Sequence, residues 1–134
     1  MTEDELYELR RPDRVLTQQD IFNAIWQRYV VEQALRGFDP GTGKCVYRDE
    51  DTDRRCVVGF LLNAGEIEEF PGNHLVGRLA DMNALPTRLM PHVVFLSQLQ
   101  LIHDSEWGSM PLDLSRRDQP LRRLAAAWGL QVPA

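Results

Sequence analysis

Lysine is almost missing from this chain: of its 15 basic residues only Lys44 is a lysine, and the rest are arginines. Cationic chemistry here rests on guanidinium, the better group for two-point contact with carboxylate or phosphate, although genomic base composition alone can produce the same bias. Cysteine is scarce as well. Cys45 and Cys56 are the two, and their separation lacks the C-x-x-C spacing of a zinc knuckle or a thioredoxin-like site. Apolar runs such as Val93 to Leu96 fall far short of the roughly 20 residues that cross a bilayer, so no membrane partner is expected. The opening MTEDELYELRRPDR is acidic, then basic, with no apolar core segment; it does not read as a secretory signal, and a cytoplasmic location is expected. No G-x-x-x-x-G-K-[ST], G-x-G-x-x-G or G-x-S-x-G occurs, which removes the sequence warrant for P-loop, dinucleotide and nucleophile-elbow chemistry. An excess of positive charge is missing too. The net charge of −5 argues against a generic nucleic-acid coat, though not against a local basic patch.

What is present describes one domain. At 134 residues, 43% hydrophobic and 26% charged, with no linker-like composition, the chain is expected to form an N-terminal arm over 1–16 and a single globular domain over 17–134. Thr17 and Asp20 have capping-box spacing, and Ile21, Phe22, Ile25, Trp26, Tyr29, Val30 and Ala34 follow at steps of three and four. A long helix from about Gln18 to Arg36, stopped by Gly37, is predicted. Lys44–Arg48 and Arg54–Val58 are rich in β-formers and flank the polar turn Asp49–Asp53, which predicts a β-hairpin. Helical spacing returns at Leu75, Val76, Leu79 and Met82. It recurs from Pro91 through Val94, Phe95, Gln98, Leu99 and Ile102 to about Ser105, and again at Leu121, Leu124, Ala125 and Trp128 before Gly129. The expected fold is therefore α+β: a helix-dominated domain with a central β-hairpin.

Candidate functional residues each have a plainer alternative. Arg48, Arg54 and Arg55 cluster on the expected hairpin, but Asp49, Glu50, Asp51 and Asp53 can neutralise them. Arg116, Arg117, Arg122 and Arg123 are less balanced and form the better candidate for an anion-facing surface. Trp107 lies in a polar loop, where it either tucks over the helix end or is offered to a partner; Tyr47 is a further candidate anchor. His103-Asp104 matches the centre of HD-type metal-dependent phosphohydrolases, for which His74 and either Asp113 or Asp118 would have to supply the remaining ligands. The plainer reading has His103 and Asp104 finishing a helix. No metal or other cofactor is expected. The residues that would come into question for a metal are His74, His103, Asp104, Cys45 and Cys56, and plain packing is the favoured reading of both cysteines.

The segments Cys45-Val46-Tyr47-Arg48, Arg55-Cys56-Val57-Val58-Gly59 and Leu99-Gln100-Leu101-Ile102-His103-Asp104 resemble a group of short bacterial and phage proteins that share C-x-Y-R…[KR]-C-x-x-G and L-Q-x-x-H-D. Phe60 departs from that pattern, where a second small residue or cysteine would follow the glycine. The resemblance implies a phage or mobile-element context and carries no activity. The expected function is a small non-catalytic binding protein that sequesters a ligand or masks a host protein surface, as an inhibitor of host defence would. Its partner would be a host or phage protein or a small anionic ligand. A His-Asp phosphohydrolase and a homo-oligomeric accessory protein are the alternatives.

Overall fold

Two helices begin on the same reciprocal device. The Thr2 hydroxyl accepts the Glu5 amide at 3.1 Å while the Glu5 carboxylate accepts the Thr2 amide at 3.2 Å, opening α1 (Glu3–Leu9). Thr17 and Asp20 repeat the pattern at 3.0 and 2.9 Å and open α2 (Gln18–Ile25). Each box satisfies amides that a helix start leaves without intrahelical acceptors. The computed structural model describes residues 1–37, 47–49, 52–69, 76–109 and 114–133.

From α2 the chain continues as a π-helical turn, Trp26–Val31, and then stops. The Ala34 amide reaches back to the Arg28 carbonyl at 3.1 Å, with Gln33 in the left-handed region at φ 54°, a Schellman-type closure. The predicted helix to Arg36 is thus too long, because Gln33 takes the stop that Gly37 was expected to provide. Gly37 serves another purpose. Its amide donates to the Arg55 carbonyl at 3.2 Å, and a Cβ there would sit 2.7 Å from that carbonyl carbon.

The expected β-hairpin, and with it the α+β class, is overturned. No strand occurs among the described residues; the nearest thing is an isolated parallel bridge between Arg36 and Arg55. Lys44, Cys45 and Val46 lie outside the described residues. The second expected strand, Arg54–Val58, ends instead in a helical turn, α3 (Val57–Phe60), with Cys56 at its N-cap accepting the Gly59 amide on Sγ at 3.4 Å. Val57 and Val58 favour strands by propensity, but every residue from Cys56 to Leu62 is buried, and tertiary packing outweighs a preference of that size.

After α3 come α4 (Ala64–Glu69), α5 (Val76–Asp81) and a 3-10 turn over Thr87–His92 that leads into α6 (Val93–Leu101). α6 runs on through a π turn, Ile102–Glu106, and a 3-10 turn, Trp107–Ser109. A last 3-10 turn, Leu114–Arg116, precedes α7 (Asp118–Trp128), which ends on Gly129 at φ 67°. α6 packs against α3 and α5, and α7 against the π turns that follow α2 and α6. The buried stripe of α6 is rotated from the predicted one: Phe95, Leu96, Leu99 and Gln100 face inward, and Val94 faces out. Gln100 can be buried because its Oε1 accepts the Val76 amide at 3.0 Å, at the start of α5. No helix among the described residues is long and apolar enough to cross a membrane.

Tyr47 lies across α3 so closely that a Cβ on Gly59 would come within 1.8 Å of the Tyr47 carbonyl oxygen. Gly59→Ala is therefore expected to cost about 3 kcal/mol or more. Gly129→Ala meets no neighbour and strains only its own backbone, for about 1 kcal/mol. Urea denaturation of both variants checks the ranking, and equal losses would contradict the close approach at Gly59.

Candidate functional site

The sequence drew attention to His103, Trp107 and Arg117, and the structure brings these three together in the interior around Tyr29. Trp107 tucks in at 2% exposure, its ring 5.4 Å from Tyr29 and 6.0 Å from His103, and its indole N–H donates to the Arg117 carbonyl at 3.1 Å. Arg117, 3% exposed, lays its guanidinium over the Trp107 ring at 5.3 Å and donates to the carbonyls of Tyr29 and Ala34. The His103 imidazole is fully buried, with Nδ1 2.7 Å from Asp104 Oδ1 and Nε2 lacking a hydrogen-bond partner. Burial drives the His103 pKa below its ordinary value; Asp104 opposes this, and Arg36 and Arg117 add to it. This cluster closes the interior where α2 ends.

The other candidates are dispersed. Arg122 pairs with Asp118 at 2.8 Å and lies over Trp26, Arg123 pairs with Glu106, and Arg116 is exposed. Tyr47 is buried, and Arg48 is held 3.9 Å from Asp53. Cys56 is a free, buried thiol. Cys45, His74 and Asp113 lie outside the described residues. Among the described residues no group of three His, Cys, Asp or Glu side chains could hold a metal.

A different set of arginines converges on a cleft of about 330 Å³ between α1, the end of α2 and α3. Arg10, Arg28, Arg54 and Arg55 line it against two carboxylates, Asp53 and Glu32, a local excess of two positive charges on a chain of net charge −5. Glu32 is already engaged by the Met1 ammonium and by Arg28, and Asp53 lies 3.7 Å from Arg55. Arg10 donates through Nε to the Phe60 carbonyl at 2.9 Å, and its two terminal nitrogens have no partner among the described residues. Arg10 and Arg28 both stand over the Phe60 ring, at 5.4 and 5.9 Å. Arg55 donates through Nη1 to the carbonyls of Gly59 and Leu62, and Nη2 has no hydrogen-bond partner among the described residues. Burial lowers the Arg10 pKa to about 10, and repulsion from Arg55 and Arg28 contributes, Asp53 opposing. Burial lowers that of Arg55 as well, with Asp53 opposing and Arg48 adding. Both remain cations at neutral pH. The arrangement can hold an anion through several guanidinium edges at once.

No protein-family model, curated protein or solved structure matches this chain, so the chemistry of the cleft is read from its own residues. Arg54 and Arg55 stood out in the sequence as part of a local charge cluster, whereas Arg10 and Arg28 did not. One signal was present: Thr2-x-x-Glu5 has capping-box spacing and marks a helix that delivers Arg10 at its end. Arg28 carried none, since it stands between apolar positions of the π turn that continues α2, like any solvated residue.

The buried His103 makes stability depend on pH. The unfolded chain binds a proton at His103 near its ordinary pKa of 6.5, and the folded chain binds it only at lower pH. This contribution is complete above pH 6.5 and is lost as pH falls below it, at most about 1.4 kcal/mol per pH unit from this one group. His103→Asn keeps a donor for Asp104 without titrating and is expected to flatten that part of the curve. Parallel urea-denaturation curves for wild type and variant between about pH 5 and 7 would contradict a neutral His103.

Proposed function

We propose that this is a non-catalytic binding protein that sequesters a small anionic ligand in the Arg10–Arg28–Arg54–Arg55 cleft. The observation that carries the reading is the pair of Arg10 terminal nitrogens, half-buried beside Arg28 and Arg55 and without a protein acceptor among the described residues. Guanidinium donors held in a concavity are desolvated in part, and an oxyanion that accepts from them recovers the lost hydration while relieving their mutual repulsion. Of the two modes expected from the sequence, ligand sequestration is favoured over masking a protein surface. The candidate protein-facing anchors Trp107 and Tyr47 are buried, whereas the cleft is open. The resemblance to phage and mobile-element proteins is consistent with a sequestering role and supplies its context.

Pyrophosphate is a suitable probe because it offers several oxygens at small size. It is expected to bind by calorimetry, more weakly as salt is raised, since the attraction is largely electrostatic. Arg28→Ala and Arg54→Ala leave the carbonyl-bound arginines in place, and each is expected to weaken binding about tenfold. Absence of binding to the folded protein at millimolar pyrophosphate, or unchanged affinity in the Arg28→Ala/Arg54→Ala double variant, would overturn the reading.

A further inference from the structure

A second concavity, of about 540 Å³, opens beside the first and shares Leu6, Arg10 and Arg55 with it. The two lie on either side of the Arg10 and Arg55 guanidiniums, so these cations form a ridge between adjoining hollows. Their chemistries differ. The first holds four arginines against two carboxylates, whereas the second, besides the shared pair and an Arg11 already paired with Glu8 and Asp13, presents Tyr7 and Pro12 with Glu3. Tyr7 is 70% exposed, an unusual state for a large aromatic in a concavity, and it has no ring partner among the described residues. Glu3 and Tyr7 stand at i and i+4 on one face of α1, and Arg10 follows at its C-cap. The Glu3 carboxylate has no hydrogen bond or ion pair among the described residues.

We infer that the two hollows form one bipartite site for a free nucleoside diphosphate or triphosphate. This rests on the anion-binding reading of the cleft and names the body attached to the anion. The phosphates lie against Arg10, Arg28 and Arg55, and the base stacks on Tyr7, whose π face accepts any flat heterocycle. Glu3 accepts hydrogen bonds from sugar hydroxyls or from amino groups of the base. A free carboxylate beside the ring fits a polar heterocycle with donors and disfavours an acyl chain, which would leave that charge desolvated and unpaired. A long polynucleotide is disfavoured by the net charge of −5, so a free nucleotide is the better fit.

The test compares inorganic triphosphate, the four common nucleoside triphosphates and a 5′-phosphorylated single-stranded decanucleotide on the full chain, by calorimetry at fixed salt. At least one nucleoside triphosphate is expected to bind about fivefold or more tighter than inorganic triphosphate. Tyr7→Ala, at an exposed position that the fold does not need, is expected to remove that advantage while leaving inorganic triphosphate unaffected. Tyr7→Phe is expected to retain it. Nucleotides that bind no tighter than an inorganic triphosphate sensitive to Arg28→Ala would overturn the bipartite site and leave the anion cleft standing. A decanucleotide that binds tighter than every mononucleotide would overturn the choice of a free nucleotide. Failure of every phosphate to bind would overturn both readings.

Discussion

Carbonyl groups stranded where helices end are the constraint around which this fold is arranged. α3 is a single helical turn, so its end leaves carbonyls short of intrahelical donors, although the Gly59 carbonyl still accepts the Leu62 amide at 3.2 Å. Three arginines from three directions supply donors to four consecutive carbonyls: Arg55 to Gly59 and Leu62, Arg10 to Phe60, and Arg88 to Leu61. The same solution recurs elsewhere. Arg117 reaches Tyr29 and Ala34 where the π turn closes α2, and Arg36 donates to His103 at 3.1 Å within the turn that follows α6. Bonds of this kind to a charged donor are worth roughly 1.5–3 kcal/mol each, against about 1 for neutral partners, and they place cations where a helix end favours them. Arg88 also pairs with Glu66, so the end of α3 ties α4 to the entry of α6.

The cleft follows from this arrangement. A guanidinium that has committed one nitrogen to a carbonyl is fixed in place but still carries donors on its other edges, because five N–H groups lie in one plane. Arg10 and Arg55 are fixed in this way at the end of α3, and Glu32 and the Phe60 ring hold Arg28 beside them. The ordering entropy of these side chains has already been lost in folding, so an incoming anion meets donors that are positioned in advance. A lysine could not do both tasks as well, since its ammonium is a compact point charge without a second edge.

Periodicity in the sequence was legible where one face of a helix is apolar and the other polar. Thr17 and Asp20 mark the start of α2, Gly129 closes α7, and both are where the spacing places them. The pattern failed where burial is complete. Val57 to Phe60 is apolar on every side, so neither a period of two nor one of 3.6 can be recognised, and β-branched composition pointed to a strand. In α6 the polar residues Ser97, Gln98 and Gln100 do not share one face, which left the direction of the buried stripe undetermined and placed Val94 inside. Of the candidate site, the Arg54-Arg55 pair was legible as local charge. Arg10 and Arg28 could not be joined to it, because only the tertiary fold brings the end of α1 and the π turn after α2 onto Phe60.

The sharing of arginines between fold and cleft has an energetic consequence. Repulsion from Arg55 and Arg28 helps to lower the Arg10 pKa, so the folded chain carries a charge conflict that the unfolded chain, with these residues far apart, does not. The carbonyl bonds at the end of α3 must outweigh it. An anion of the kind proposed would relieve the conflict while Arg10 Nε and Arg55 Nη1 stay on their carbonyls. If the cleft holds an anion as proposed, binding and folding are linked by mass action, and such a ligand raises stability in step with its concentration over its dissociation constant. The two pairs of arginines separate these effects. Arg10 and Arg55 bond the backbone as well as lining the cleft, while Arg28 and Arg54 line it and donate to no backbone carbonyl among the described residues. Affinity can therefore change at Arg28 and Arg54 with the scaffold intact, whereas Arg10 and Arg55 are held by the carbonyls of α3 before any ligand is considered.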